Sequence, residues 1–321
     1  MRKQATTFLV LKELLFLASC GGNTPAPVAL SITTFPLPLP TSGAQWITSG
    51  PDGNLWFTGL SRRVIGRSTP AGQITEFPLP ESPSQSELGA ITTGPDRNLW
   101  FTERDYNQIG RVTPDGQITD FPLPASVSGS ERITSGPDGN LWFTAGDQIG
   151  QITPTGQVTL FPMPANASAR GITAGPDGNL WFTEPFTNKI GRITPAGQIT
   201  EFPLPALRDQ SQPQDIIAGP DGNLWFTDLL ADQIGRITLG GQVTIFPLAG
   251  DDNPFGITTG PDGNVWVALG AQVARATPAG KITTFPSGSR IFVHIITNGP
   301  DGALWFTELD TNTIGRFTSP N

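Results

Sequence analysis

Cysteine, histidine and basic clusters are what this chain lacks. Its 321 residues hold one cysteine, one histidine and 14% charged residues. A lone cysteine rules out an internal disulfide, and one histidine without a second thiol cannot make a zinc-type ligand cluster. The formal net charge of -8 comes with no basic patch, which argues against a nucleic-acid partner, since phosphate binding draws on clustered Lys and Arg. The apolar stretch from Phe8 to Leu17 is too short to span a bilayer and is interrupted by Lys12 and Glu13. Helix is excluded as the main element: no window repeats apolar residues at the 3.6 period, and Pro and Gly break every long segment.

What is present is one motif, repeated. Gly-Pro-Asp-Gly-Asn-Leu-Trp-Phe-Thr begins at Gly50 and returns with small changes at Gly94, Gly136, Gly175, Gly219, Gly260 and Gly299, a spacing of 39 to 44 residues. A period of that length marks stacked supersecondary units and overrides the two-domain estimate from length. Residues 170–205 show the unit cleanly. Gly171 to Ala174 is a short strand, Gly175-Pro176-Asp177-Gly178 a tight turn, and Asn179 to Glu184 a strand rich in residues that suit a pleated surface. Lys189 to Thr194 and Ile199 to Leu204 supply two more strands around the turn at Pro195-Ala196-Gly197. Four short antiparallel strands per unit is a propeller blade, so the expected fold is an all-β, seven-bladed β-propeller.

The ring needs closing. The seventh unit ends after three strands, at Thr313 to Thr318, whereas Leu30 to Phe35 is a fourth-strand sequence with no blade before it. Pairing the two completes the last blade from both ends of the chain and leaves only short outer edges. Seven of the eight tryptophans occupy the second strand and are expected to pack between blades; Trp46 is the extra one.

Within this monotony, the residue opening each first strand and the one closing each second strand vary. The pairs are Gln45/Gly59, Gly89/Glu103, Glu131/Ala145, Arg170/Glu184, Gln214/Asp228, Phe255/Leu269 and His294/Glu308. With the first strand innermost, these pairs are expected to ring the mouth of a central channel, as a binding site or merely as solvated loop edges. His294 with Glu308 is the candidate acid–base pair, a carboxylate beside an imidazole raising its pKa. Arg170 with Glu184 reads as a rim ion pair or a clamp for an anionic ligand. Scattered carboxylates leave open an oxygen-rich Mg²⁺ site drawing on Glu308, Glu103 or Asp228.

The N-terminus reads as an address. Met1-Arg2-Lys3, the apolar stretch and Leu17-Ala18-Ser19-Cys20-Gly21 make residues 1–20 a lipoprotein-type signal peptide with Cys20 as the lipidated residue; the alternative is a plain cleaved signal. Residues 21–29 are then a flexible tether and 30–321 the propeller, a monomer held at a bacterial cell-envelope membrane by its lipid.

The repeats Gly-Ile-Thr-x-Gly-Pro-Asp-Gly-Asn-Leu-Trp-Phe-Thr-Glu and Ile-Gly-Arg-Ile-Thr-Pro-x-Gly-x-Ile-Thr-Glu-Phe-Pro-Leu-Pro resemble the virginiamycin B lyase family across residues 30–321. The resemblance implies opening of a cyclic depsipeptide antibiotic by elimination, with Mg²⁺ and a histidine base. The implied site has two histidines and two glutamates. Here the second histidine falls on His294 and the last glutamate on Glu308, while the first histidine falls on Phe255 and the other glutamate on Phe292. Losing those two groups should weaken Mg²⁺ binding and remove charge that stabilises a developing enolate, and Phe255 with Phe292 should form an apolar wall beside His294. Three functions follow: a diverged propeller binding a small molecule, peptide or glycan at the rim; an active carbon-oxygen lyase with His294 as base; or an interaction platform using the blade sides.

Overall fold

The structure is a computed structural model describing residues 30–38, 43–59, 62–80, 87–127, 129–205, 211–249, 253–287, 292–308 and 311–318. The expected signal peptide with Cys20 and the expected tether lie outside the described residues.

Seven four-stranded antiparallel sheets follow one another along the chain, with strand order inside each sheet equal to chain order in the first six. The blades cover residues 44–78, 88–122, 130–162, 172–203, 213–247 and 257–286, and the seventh joins 293–318 to the N-terminal strand Ser31–Pro36. That strand runs antiparallel to Thr313–Thr318, with Ser31 opposite Thr318 and Pro36 opposite Thr313, as the missing fourth strand requires. Neighbouring inner strands pack on one another around the ring, and Ala44–Ser49 closes it against Val293–Asn298.

A side-chain clamp repeated in every blade explains why the sequence folds this way. The turn aspartate accepts a hydrogen bond from the indole Nε1 of its blade's tryptophan, as Asp177 does from Trp181 at 3.0 Å, and the same bond recurs in all seven blades. Each indole stacks on the phenylalanine of its Phe-Pro strand ending with ring centroids 5.1 to 5.5 Å apart. The arginine of Ile-Gly-Arg lies over these rings and beside the aspartate, as Arg192 does over Trp181 and Phe202. In the third blade Gln151 takes its place and donates to Asp138 instead. The tryptophans are buried and join hydrophobic clusters with residues of the following blade, so one residue type both closes a turn and cements a blade interface. The glycine before the arginine is needed because a Cβ at Gly191 would overlap the Phe182 ring on the adjacent strand.

Candidate functional site

The channel mouth lies at the end of the inner strands away from the Gly-Pro-Asp turns, and two local features fix its side chains. In five blades the pairing of the inner strand slips near its start, as between Ser130 and Ile133 or Val293 and Ile296. This bulge re-aims Gln45, Gly89, Glu131, Gln214 and His294. Arg170 and Phe255 instead precede shorter strands, Ile172–Ala174 and Ile257–Thr259. The carbonyls of six of these seven rim residues are each held by a threonine hydroxyl of the preceding blade: Thr58 on Gly89, Thr102 on Glu131, Thr144 on Arg170, Thr183 on Gln214, Thr227 on Phe255 and Thr307 on Gln45, at 2.9 to 3.1 Å. The sixth blade has Ala268 at that position, and the carbonyl of His294 takes the Gly256 N–H instead.

Six of these seven residues, all but Gln214, line a cavity of about 240 Å³. One wall is aromatic. His294 stacks on Phe255 with ring centroids 4.2 Å apart and meets Trp46 edge-on at 6.2 Å. The opposite wall is charged, with Glu131 held between Arg104 at 3.2 Å and Arg170 at 3.4 Å, and Glu87, Gly89 and Ser130 completing it. Arg132 lies nearby across the ring, its guanidinium 3.6 Å from the Trp46 ring and 3.7 Å from Asp215. Both ends of that ion pair are shifted by burial, which lowers the Arg132 pKa and raises that of Asp215 while each partner opposes the change.

Of the residues singled out from sequence, Gln45, Glu131, Arg170, Phe255 and His294 meet in this cavity. The second-strand closing residues do not. The inserted bulge residue sets Glu308 opposite Val293 and Glu103 opposite Leu88, and the strand's alternation buries these carboxylates away from the channel. Glu308 accepts hydrogen bonds from Thr311 and Thr313. Asp228 accepts from Ser211, the Gln212 backbone and Gln233. Glu184 bonds Thr187 rather than Arg170, and Glu103 pairs with Arg63. Burial pushes Glu103 up to about 7, with Arg63 opposing and Asp120 adding to the rise, and pushes Glu184 up to about 6, with Thr187 opposing and Glu201 adding. Gln214 is fully buried. Phe292 is 47% exposed and lies over Gly270, outside the cavity lining, so the apolar wall is Phe255 with Trp46.

The expected effect of Glu308 on His294 is therefore corrected. His294 is lowered to about 4, first by burial and then by the charges of Arg132 and Arg170, against a backbone hydrogen bond to Gln45. No carboxylate holds its Nδ1, which is buried without a hydrogen-bond partner. The donor set does not fit Mg²⁺ either: among the described residues no three His, Cys, Asp or Glu side chains cluster, Glu308 is engaged by two threonines, and Phe255 covers one face of the imidazole.

Trp46, Arg132 and Asp215 were missed as site residues. The sequence carried a signal, because at the second position of the inner strand the other repeats place Ala90, Gly171, Gly256 and Ile295. An indole and two opposite charges there break the pattern, and the structure brings all three into one contact chain.

The Virginiamycin B lyase family model matches residues 26–269 and 206–320. Virginiamycin B lyase of Staphylococcus aureus superposes with a TM-score of 0.83 at 33% identity, covering 90% of this chain and 99% of that one. A structure described as a streptogramin B lyase gives 0.84 at 34% identity, covering 91% and 98%. A further Staphylococcus aureus structure, a catalytically inactive histidine-to-alanine variant with quinupristin, gives 0.83 at 33% identity, covering 90% and 99%. Among curated sequences, virginiamycin B lyase of Bordetella pertussis is 41% identical over 56 residues, which is 17% of this chain and 19% of that protein, so this chain matches under a fifth of that relative's length. Fold, repeat and matched span together establish that the chain belongs to the virginiamycin B lyase family.

Proposed function

We propose that this family member is an exported propeller that binds a small molecule, peptide or glycan at its channel mouth and has lost the Mg²⁺-dependent elimination of its relatives. The carrying observation is the stack of Phe255 on His294 at 4.2 Å. It puts an apolar ring where the family resemblance expects a metal-binding histidine, while Glu308 is buried against Thr311 and Thr313. A half-aromatic, half-charged concavity with side chains fixed by the neighbouring blades is suited to recognition.

The export reading rests on the leader and on Cys20 as lipid anchor. Ser31, where the first strand begins, pairs with Thr318 at the Gly-Pro-Asp end of the last blade, the end away from the mouth. Mass measurement on the exported protein tests the lipid on Cys20.

Binding is tested by calorimetry against a panel of cyclic depsipeptides, peptides and oligosaccharides, with chromatographic separation of cyclic and linear depsipeptide with and without Mg²⁺. Saturable binding without ring opening, weakened in Phe255→Ala, is the expected result. One observation favours the lyase reading, namely a neutral His294 whose Nδ1 is free to take a proton. Mg²⁺-dependent linearisation that disappears in His294→Ala would establish that reading instead.

A further inference from the structure

The mouth cavity has a neighbour. A second cavity, of about 200 Å³, lies beside it, and Arg104, Glu131 and Arg170 line both. The bridge that Glu131 makes to the two arginines, at 3.2 and 3.4 Å, is therefore their common boundary. Beyond it the lining is small, with Gly129, Gly146 and Ala169, and Phe186 stands beside them. Phe186 is 76% exposed, yet the turn that carries it is fixed. Thr187 donates to Glu184 at 2.6 Å, and Asn188 sits at a φ of 53° with its carbonyl accepting from the Leu204 N–H at 3.0 Å. An aromatic face held out beside a cavity by a rigid turn is preorganised for contact.

Four features restrict what fits. The first is size: neither cavity, at about 240 and 200 Å³, reaches the roughly 300–1,000 Å³ typical of a drug-sized ligand, so each takes one ring-sized unit. The second is charge. Across both linings Arg104 and Arg170 are balanced by Glu87 and Glu131, which favours a neutral ligand over an ion. The third is hydrogen bonding: guanidinium groups only donate and carboxylates only accept, and the two stand side by side here. A hydroxyl does both, so neighbouring hydroxyls can span an arginine and the adjoining glutamate. The fourth is the backbone. Extended peptides are read through free main-chain groups, but the Glu131 and Arg170 carbonyls are held by Thr102 and Thr144, and the Ala169 N–H is bonded to the Gly146 carbonyl. Recognition is left to side chains.

We infer that the two cavities are adjoining subsites for a neutral oligosaccharide: one sugar ring lies with its C–H face against the wall of Phe255 and Trp46, a further ring lies against Phe186, and hydroxyls between them bridge Arg104, Glu131 and Arg170. The inference rests on the rim-binding reading and narrows its ligand to a glycan of two or more units.

The test is calorimetry on the full-length protein with glucose, cellobiose and cellotetraose, and with N-acetylglucosamine and its dimer and tetramer, against the capped peptide acetyl-Gly-Phe-Gly-amide. In at least one series the tetrasaccharide is expected to bind about tenfold or more tighter than the monosaccharide, and Phe186→Ala to abolish that gain. Phe186→Ala keeps Thr187 and Asn188, and a thermal melt matching the parent's shows that it is folded. Affinity that does not rise with chain length, or a rise that survives Phe186→Ala, overturns the inference. Tighter binding of the capped peptide than of every saccharide assigns a peptide and overturns it as well. If both series fail while another compound of the panel above binds, the inference falls and rim binding stands. If that panel fails too, both fall.

Discussion

The two ends of the inner strands obey different rules. At the turn end every blade repeats the same clamp of aspartate, tryptophan and phenylalanine, with arginine or once glutamine completing it. At the mouth end the seven blades present six residue types, glutamine alone recurring as Gln45 and Gln214, although six of the seven rim carbonyls are held by the equivalent threonine hydroxyl of the preceding blade. Backbone support is thus largely shared among the blades at both ends, and the mouth's side chains are what vary most. A closed ring of near-identical sheets can change its ligand by single substitutions at the mouth without disturbing what holds it together.

Substitutions at the turn end should show this in stability. Trp181→Ala removes a fully buried indole shared by a turn and a blade interface and is expected to cost about 3–5 kcal/mol by denaturant unfolding. A cost below about 1 kcal/mol would mean that the clamp is not what fixes the blade.

Asp177→Ala strips partners from the Trp181 indole and from Asn179 and is expected to cost about 1–3 kcal/mol. Burial alone would raise the Asp177 pKa, but hydrogen bonds from Asn179 and Trp181 outweigh it and hold the carboxyl below its ordinary 3.8. A depressed folded pKa gives stability that is present above the unfolded value and is lost as pH falls through the folded one. Five further turn aspartates are lowered in the same way. Cooperative acid unfolding is therefore expected below pH 4, and its midpoint should shift upward in Asp177→Asn.

The buried carboxylates under the mouth carry the opposite sign. Glu184 is raised from 4.5 to about 6, mainly by burial, so its contribution is full below its unfolded pKa and fades as pH rises through 6. Glu184→Gln should gain roughly 2 kcal/mol relative to the parent between pH 4 and pH 8. A difference that does not change with pH would contradict the assigned burial effect.

The smallest effect on stability is expected at the mouth itself. Arg170→Gln breaks a partly exposed pair with Glu131 and should shift stability by less than about 1 kcal/mol while weakening ligand binding. A large loss of stability there would erase the distinction between the two ends.

How far the sequence could be read follows from the same distinction. The clamp repeats, so blade number, strand order and the closure of Ser31–Pro36 on Thr313–Thr318 were legible in the spacing of Gly-Pro-Asp and Phe-Pro alone. The position of Phe255 and His294 on the rim was legible as well. Glu308 was misread because a one-residue bulge is invisible in a spacing of 14, yet it decides which residue faces it, and Glu184 because the inner strand of its blade starts only at Ile172, which leaves Arg170 outside the strand. Arg132 and Asp215 come from different blades, and only the ring brings them together.

The most direct test is an NMR titration of the imidazole in tag-free protein, where His294 is the one histidine signal. Burial beside Phe255 and near Arg132 and Arg170 sets a midpoint of about 4, which Glu308→Gln should leave in place. A midpoint at or above the ordinary 6.5 that falls in Glu308→Gln would show the carboxylate and the imidazole acting as a pair, and would contradict the separation on which the binding function rests.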